Sequence, residues 1–135
     1  MAHVFDLEIV TPQKKEFSGK VESVTCPGEQ GRFQVLFNHA PFLSTLAIGL
    51  VKVVDEQGEV LMYAISGGVA QVFHNSMHVL ADSAERSDLI DVDRARRAQE
   101  RAEQRLRNHT EGVDEERARA ALMRAINRLK VSQKI

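Results

Sequence analysis

The hydrophobic pattern of this 135-residue chain changes its period once, within residues 84–98. Before this stretch, apolar residues alternate with polar ones in short runs that Gly and Pro interrupt. After it, apolar residues recur every three to four positions, and only Gly112 interrupts them. A period of two is typical of a half-buried strand, and a period near 3.6 is typical of an amphipathic helix. The sequence therefore predicts a β-rich N-terminal part followed by a helical C-terminal part, an α+β fold.

The N-terminal part, residues 1–86, predicts an antiparallel β-sandwich or barrel. Its first strand is indicated by Phe5, Leu7 and Ile9, which alternate with polar residues. Turn-forming residues follow at short intervals with almost no helical period between them, as in all-β domains. We expect turns at 17–20, 27–31, 55–58 and 74–76, and a turn or bulge at 66–68. So many apolar strand positions are enough for an independent core.

The C-terminal part, residues 87–135, predicts an α-helical hairpin. Its helices are expected at about 91–107 and 114–131, with a break at 108–112. Asp91 and Asp114 precede the two helices and are suited to cap them. A short connection implies antiparallel helices. Their apolar faces consist mainly of alanine, which buries little area, so we expect the hairpin to dock on the β domain or on a partner.

Charge and cysteine content exclude several function classes. Lys and Arg number 18 and Asp and Glu number 19, a balance that argues against a general nucleic-acid or membrane-surface binder. No apolar run approaches the roughly 20 residues that a membrane span needs, and no signal peptide is recognisable. Cys26 is the single cysteine, and no His-x-x-x-His spacing occurs, so we expect no disulfide and no metal site. These features predict a cytosolic protein.

Catalytic motifs are absent from the sequence. It contains no Gly-x-Ser-x-Gly elbow, no phosphate-binding loop with Lys and no His-Glu-x-x-His. Ser66-Gly67-Gly68 and His39 are better interpreted as turn and loop residues, because no nucleophile or second acid lies nearby in the sequence. We expect no enzymatic activity from the chain alone.

Arginine forms one row on each predicted helix. The first row comprises Arg94, Arg97, Arg101 and Arg105, and the second comprises Arg117, Arg124 and Arg128. One interpretation is a pair of solvated faces, since glutamates are interleaved with them. The other is anion recognition, in which two facing rows bind a polyphosphate or an acidic partner surface through forked hydrogen bonds.

Several segments, in order and spacing, resemble the epsilon subunit of F-type ATP synthases. They run nearly from end to end of the chain and comprise Phe17–Glu22, Gly31–Leu36, Asn38–Leu43, Ser66–Gly68, Ala81–Arg86, Asp91–Ala95 and Ala120–Val131. The resemblance implies an N-terminal β-sandwich followed by a C-terminal helical hairpin. This is the architecture that the two hydrophobic periods predict independently.

The resemblance also implies a function and partners. Epsilon subunits are non-catalytic parts of the rotor stalk, where the sandwich contacts the gamma subunit and the ring of c subunits. The hairpin folds against the sandwich or extends toward the catalytic alpha/beta hexamer and blocks ATP hydrolysis. The expected location is the cytoplasmic face of the bacterial plasma membrane, as a peripheral protein that contacts the membrane only through the complex.

Two contact surfaces follow from the same resemblance. Glu29, Gly31, Phe37 and His39 match the region expected to face the c ring and gamma. Arg117, Arg124 and Arg128 match the segment expected to contact acidic surfaces of the beta subunit. The loop departs from the family's usual Gly-Val-Leu-Pro-Gly-His-Ala-Pro, since Gln34, Phe37 and Asn38 replace two glycines and a proline, so we expect an altered backbone there.

A nucleotide site is the alternative function that the resemblance implies. Some bacterial epsilon subunits bind ATP in the folded hairpin through an Ile/Leu-Asp-x-x-Arg-Ala motif, which is intact here as Ile90-Asp91-Val92-Asp93-Arg94-Ala95. The matching set is Glu85, Ile90, Asp91, Arg94, Arg124 and Arg128. Asp93 adds negative charge within the motif and is expected to weaken nucleotide binding. No cofactor is expected to be required, and ATP would be a regulatory ligand.

Overall fold

The computed structural model describes residues 3–108 and 114–133. Within these residues the chain forms seven strands followed by two α-helices, with a short 3-10 turn at Ser87–Leu89 between them. The strands are β1 (Phe5–Val10), β2 (Lys15–Gly28), β3 (Gly31–Leu36), β4 (Phe42–Asp55), β5 (Val60–Phe73), β6 (Ser76–Ala81) and β7 (Ala84–Arg86). The helices are α1 (Val92–Asn108) and α2 (Glu115–Ser132). The predicted fold class is confirmed.

Five of the strands close into a barrel. The hydrogen-bonded order is β1-β6-β5-β4-β2, and β2 pairs with β1 again to complete the ring. β3 extends from β2, and β7 pairs with β5. All of these pairings are antiparallel except β1–β6, which is parallel and was not foreseen from the sequence.

The barrel interior holds the hydrophobic core. Phe5, Leu7 and Ile9 of β1 are at most 2% exposed, which confirms the predicted alternation. They pack with inward side chains from the other strands, among them Val24, Val53 and Val79, into one continuous cluster. Close packing of large apolar side chains is the main favourable contribution to the folding of a domain of this size.

Three predicted turns are confirmed. The residues between β2 and β3, between β4 and β5, and between β5 and β6 are short connections. Gly58 has a φ of 81°, and the two residues at the β5–β6 turn, His74 and Asn75, have φ of 50° and 57°. Gly and Asn adopt left-handed backbone more readily than other residues. Their presence at these positions is therefore what predicted the turns.

The turn predicted at residues 17–20 is wrong, because β2 runs through it without interruption. Gly19 lies opposite Leu7 across the β1–β2 pair, and its neighbour Phe17 folds its ring over the glycine. Pairing with β1 therefore overrides the local turn preference of Ser and Gly, as tertiary context commonly does.

Ser66–Gly68, predicted as a turn or bulge, also lies within a continuous strand, β5, and the β4–β5 register does not shift across it, so neither alternative is confirmed. A Cβ on Gly68 would lie 2.1 Å from the Leu80 carbonyl oxygen of β6. β5 changes its partner here, from β7 to β6. Glycine is needed at this point because two backbones approach each other closely, not because the chain reverses.

Both helices begin where the sequence predicts, one residue after the capping aspartates. The Asp91 carboxylate accepts a hydrogen bond from the Arg94 backbone N–H at 3.0 Å. The Asp114 carboxylate accepts one from Arg117 N–H at 3.2 Å. The predicted break at 108–112 lies outside the described residues except for Asn108, which ends α1.

The helical hairpin rests on the outer face of the barrel. α1 packs mainly on α2, and α2 lies against β4, β5 and the Ser87–Leu89 turn. The residues that the hairpin buries are Ala95, Ala102, Ala118, Ala125 and Val131. Only Val131 among them is larger than alanine. It joins Ile90 and Ala64 in a small apolar cluster.

Candidate functional site

A cavity of about 500 Å³ lies between the hairpin and the barrel. Its walls come from β5, β7, α1 and α2, so it exists only while the hairpin is docked. The arginines that line it are Arg94, Arg101 and Arg105 of α1 and Arg124 and Arg128 of α2. Among the described residues, Glu85 of β7 is the one carboxylate in the lining. We refer to this space as the arginine cavity.

Helical periodicity explains why these arginines converge. Arg94, Arg101 and Arg105 are spaced seven and four residues apart and so share one face of α1. Arg124 and Arg128 are one turn apart on α2. Arg97 belongs to the same row in the sequence but does not line the arginine cavity. The small side chains of Ala98 and Ala121 leave the space between the helices open.

One ion pair crosses the arginine cavity and joins the hairpin to the barrel. Nη2 of Arg128 donates a hydrogen bond to Oε2 of Glu85 at 3.0 Å, and its Nε lies against Oε1 of the same carboxylate. The Arg128 side chain is 21% exposed. The Nε atom itself is buried and has no partner other than this carboxylate. Removal of the Glu85 carboxylate would therefore leave a buried N–H of a cation without a partner.

The other four arginines of the arginine cavity have no carboxylate within ion-pair distance among residues 3–108 and 114–133. The ion pairs of the helical part that do not involve Arg128 lie elsewhere on the helices, at Arg96, Arg107 and Arg119. The lining therefore carries a clear excess of positive charge. Guanidinium groups bind phosphate and carboxylate through paired hydrogen bonds, so the arrangement is suited to an anion.

The predicted nucleotide residues separate into two groups. Glu85, Arg94, Arg124 and Arg128 all line the arginine cavity. Ile90 and Asp91 do not: Ile90 is 8% exposed in the apolar cluster with Val131, and Asp91 caps α1.

Sequence reasoning did not assign Arg101, Arg105 and Asn127 to the nucleotide site, yet all three line the arginine cavity. The seven- and eleven-residue spacing of Arg101 and Arg105 from Arg94 was the available indication for two of them. Nothing in the sequence indicated Asn127. Arg117, predicted to contact the beta subunit, is exposed in the first turn of α2 and does not line the cavity.

The four residues predicted to contact the c ring and gamma fall in two places. Glu29 and Gly31 border the turn that precedes β3, and Phe37 and His39 lie in the loop that follows it. Glu29 accepts a hydrogen bond from the Thr45 hydroxyl at 3.1 Å. Phe37 instead stacks edge-on against His3, with 4.8 Å between ring centroids.

The loop after β3 is surrounded by exposed apolar side chains. Leu36 is 52% exposed, Phe37 43% and Leu43 70%. Asn38 has a φ of 61°, so asparagine supplies left-handed backbone where the family pattern has glycine. Large exposed apolar side chains in and beside one loop are suited to an interaction surface. Of these three, only Phe37 was predicted as a contact residue from the sequence.

The described parts of the chain contain neither a metal-binding group of side chains nor a reactive thiol. No group of His, Cys, Asp and Glu there is arranged to hold a metal ion. Cys26 is fully buried in the barrel, and burial raises the pKa of its thiol to about 12. A thiol in such surroundings is unreactive. No helix among the described residues is long and apolar enough to cross a membrane.

A closed β-barrel with a docked two-helix appendage over a cationic cavity defines a two-part assembly and regulatory module. The chain belongs to the ATP synthase delta/epsilon chain family. Residues 4–87 match the family's beta-sandwich domain, and residues 88–133 match its long alpha-helix domain.

Curated relatives agree over nearly the full length. The chain is 51% identical over 125 residues to an ATP synthase epsilon chain of Nitratidesulfovibrio vulgaris strain DP4, covering 93% of this chain and 92% of the relative. It is 43% identical over 133 residues to the ATP synthase epsilon chain of Desulforamulus reducens, covering 98% and 100%. The family predicted from the sequence is thereby confirmed.

Solved structures agree with the fold. A chain in the Euglena gracilis mitochondrial ATP synthase, solved as OSCP/F1/c-ring, aligns with a TM-score of 0.78 at 25% identity, covering 91% of this chain and 77% of that chain. A chain in the Tetrahymena thermophila mitochondrial ATP synthase central stalk and c-ring aligns with a TM-score of 0.61 at 15% identity, covering 95% and 96%, and shares the fold.

Proposed function

We propose that the chain acts in the rotor of an F-type ATP synthase, where its barrel couples gamma to the c ring and its hairpin inhibits ATP hydrolysis. As a member of the epsilon-type family, it is a non-catalytic accessory subunit. The complex is expected at the cytoplasmic face of a bacterial plasma membrane. There the subunit is peripheral and contacts the membrane only through its partners.

The proposed barrel contacts use the two ends of β3. The exposed apolar side chains of Leu36, Phe37 and Leu43 are suited to bury against an apolar partner surface, for which we propose the c ring. The Glu29–Gly31 turn lies at the other end of the strand. One partner spanning both ends, or gamma at one end and the c ring at the other, would satisfy this arrangement.

The observation that supports the inhibitory role is the small number of contacts that hold the hairpin on the barrel. Besides the packing of α2 on β4 and β5, its contacts with the barrel among the described residues are one small apolar cluster, one ion pair and one side-chain amide. Such an interface permits two states, docked and extended. In the extended state Arg124 and Arg128 would exchange Glu85 and the cavity for acidic surfaces of the beta subunit, with Arg117 joining them.

The test is removal of residues 87–135 in an ATP synthase reconstituted with its own gamma subunit. Loss of the hairpin should raise ATP hydrolysis severalfold while the barrel remains bound. Co-purification of the truncated chain with gamma is the control for assembly. Unchanged hydrolysis in a complex that retains the truncated chain would contradict the inhibitory role, and failure to bind gamma would contradict the rotor assignment.

A second candidate function is ATP sensing, in which the arginine cavity binds the nucleotide and holds the hairpin docked. The unpaired Arg94, Arg101, Arg105 and Arg124 support this proposal. Asp93 does not line the cavity and lies 3.7 Å from Arg96, so its charge faces away from the site. The expected weakening by Asp93 is therefore smaller than the motif alone implies.

Isothermal titration with ATP tests the sensing function. Arg94→Ala should weaken binding at least tenfold, because one charge-assisted contact to phosphate is lost. Arg97→Ala removes the same group from the same helix outside the cavity and should bind as the unmodified chain does. Absence of binding at millimolar ATP would refute the sensing function without affecting the rotor assignment.

A further inference from the structure

Asn127 of α2 reaches from the hairpin to the backbone of the barrel. Its Nδ2 donates to the Gly49 carbonyl oxygen of β4 at 2.9 Å and lies 3.4 Å from the Ile65 carbonyl oxygen of β5. Gly49 and Ile65 face each other in the β4–β5 pairing. One amide group therefore contacts two strands at a single rung of the sheet.

The sheet exposes bare backbone to the hairpin at this rung. Ile65 is 2% exposed and belongs to the barrel core, so its side chain points inward, and Gly49 has no side chain. The next rung, Leu50 with Ala64, packs in the apolar cluster with Val131 instead. Because side chains alternate along a strand, inward-facing rungs such as Gly49–Ile65 leave their backbone accessible from outside the barrel, and this is the rung that the Asn127 amide contacts.

The remaining hairpin contacts specify position poorly. The apolar cluster around Val131 does not fix a direction, because the hydrophobic effect is non-directional. Arg128 is a long side chain that follows Glu85 over a displacement of a few ångströms. Asn127 is short, and a hydrogen bond weakens steeply when its length or angle departs from the optimum.

We propose that Asn127 is the positioning residue that fixes the register of α2 on the barrel, through the Gly49–Ile65 rung. A shift of α2 by one turn, about 5.4 Å, breaks both contacts. The contact is reversible, because water replaces the amide when the hairpin leaves. The proposal concerns the docked state of the chain itself and does not depend on inhibition or nucleotide binding.

The test measures the distance between spin labels on the barrel and the hairpin in the full chain. Labels are attached at Gln57→Cys, in the β4–β5 turn, and Gln104→Cys, on the exposed side of α1. Cys26 is buried and unreactive, so only the introduced cysteines are labelled in the folded chain. The variant is Asn127→Leu, and the matched control is Asn108→Leu, at an exposed hairpin position away from the barrel.

Asn127→Leu should replace the single docked distance with several distances and lower the ratio of docked to undocked hairpin about fivefold, as expected for one net hydrogen bond. Leu favours helix more than Asn, so a weakened α2 cannot explain this result. The Asn108→Leu control should keep the single distance. The proposal is overturned if Asn127→Leu keeps the single docked distance, if both variants change equally, or if the unmodified chain already shows several docked distances.

Discussion

The barrel and the hairpin bury their residues in different ways. The barrel encloses large apolar side chains, including Phe5, Leu7 and Ile65, within a closed ring of hydrogen-bonded strands. The two helices of the hairpin, as far as the structure describes them, bury four alanines and Val131. Fully burying a large apolar side chain contributes about 1.5–3 kcal/mol, whereas an alanine methyl contributes about 0.8 kcal/mol.

Most of the apolar burial therefore lies in the barrel, and the hairpin contributes little of it. The barrel has its own hydrophobic core and a closed ring of hydrogen-bonded strands, so we expect it to fold without the hairpin. The hairpin depends on the barrel for its docked position but not for its helical pattern. A regulatory hairpin must undock from the barrel without unfolding the barrel. Segments with few buried contacts open most readily in this way.

The largest expected effect comes from the barrel core. Leu7 is 1% exposed, so Leu7→Ala leaves a cavity among closely packed neighbours and should destabilise the chain by about 3 kcal/mol. Urea unfolding followed by circular dichroism measures the loss. A change below about 1 kcal/mol would mean that the core relaxes freely, and the contrast with the hairpin would then be weaker than we infer.

A smaller effect is expected from overpacking the seam between the helices. Ala95 is fully buried, so Ala95→Leu should destabilise docking of the hairpin by about 2 kcal/mol. Hydrogen exchange should accelerate in α1 and α2 while the amides of β1 stay protected. Gln104→Leu, on the exposed side of α1, is the control, and equal acceleration in β1 would show that the two parts unfold together.

The cap of the second helix should contribute less. Asp114→Ala removes the acceptor for the Arg117 N–H and should destabilise α2 by about 1 kcal/mol. Asp114→Asn keeps a side-chain acceptor and should retain most of this stability. The measurement is exchange of the first-turn amides of α2, and similar losses in both variants would contradict a capping role.

The smallest effect is expected on the outer surface of the barrel. Lys20 and Asp6 form an ion pair at 3.1 Å, with side chains 55% and 63% exposed. Lys20→Ala should change the free energy of unfolding by about 0.5 kcal/mol, and by less at high salt, because exposed pairs are screened. Urea unfolding at two salt concentrations checks this. A larger, salt-independent loss would indicate that Lys20 stabilises the barrel by packing.

Local sequence patterns predicted those parts of the fold whose conformation depends on neighbouring residues in the chain. The helix starts follow from the capping side chains of Asp91 and Asp114, and β1 follows from strict alternation. The parallel β1–β6 pair could not be predicted, because it joins strands about 70 residues apart and leaves no local trace. The prediction of a turn at 17–20 was wrong for the same reason, because pairing with β1 keeps these residues in an extended strand.

The site was predicted in part. Glu85, Arg94, Arg124 and Arg128 were assigned together, and they meet in the arginine cavity. Which other residues face that cavity depends on how far each helix is rotated on the barrel, and periodicity does not determine that angle. Arg101 and Arg105 were therefore predicted only as part of a row that is either solvated or binds an anion, and not as members of the nucleotide site. Asn127 was not singled out at all.

Closure of the barrel has a mechanical consequence. β1 is hydrogen-bonded along both sides, to β2 and to β6, so its edges are not free. A sideways load on this strand is shared by two ladders at once, and neither can open one rung at a time without deforming the other. A rotor subunit of the proposed kind would need such a closed barrel, because a barrel without a free edge at β1 resists deformation as one body.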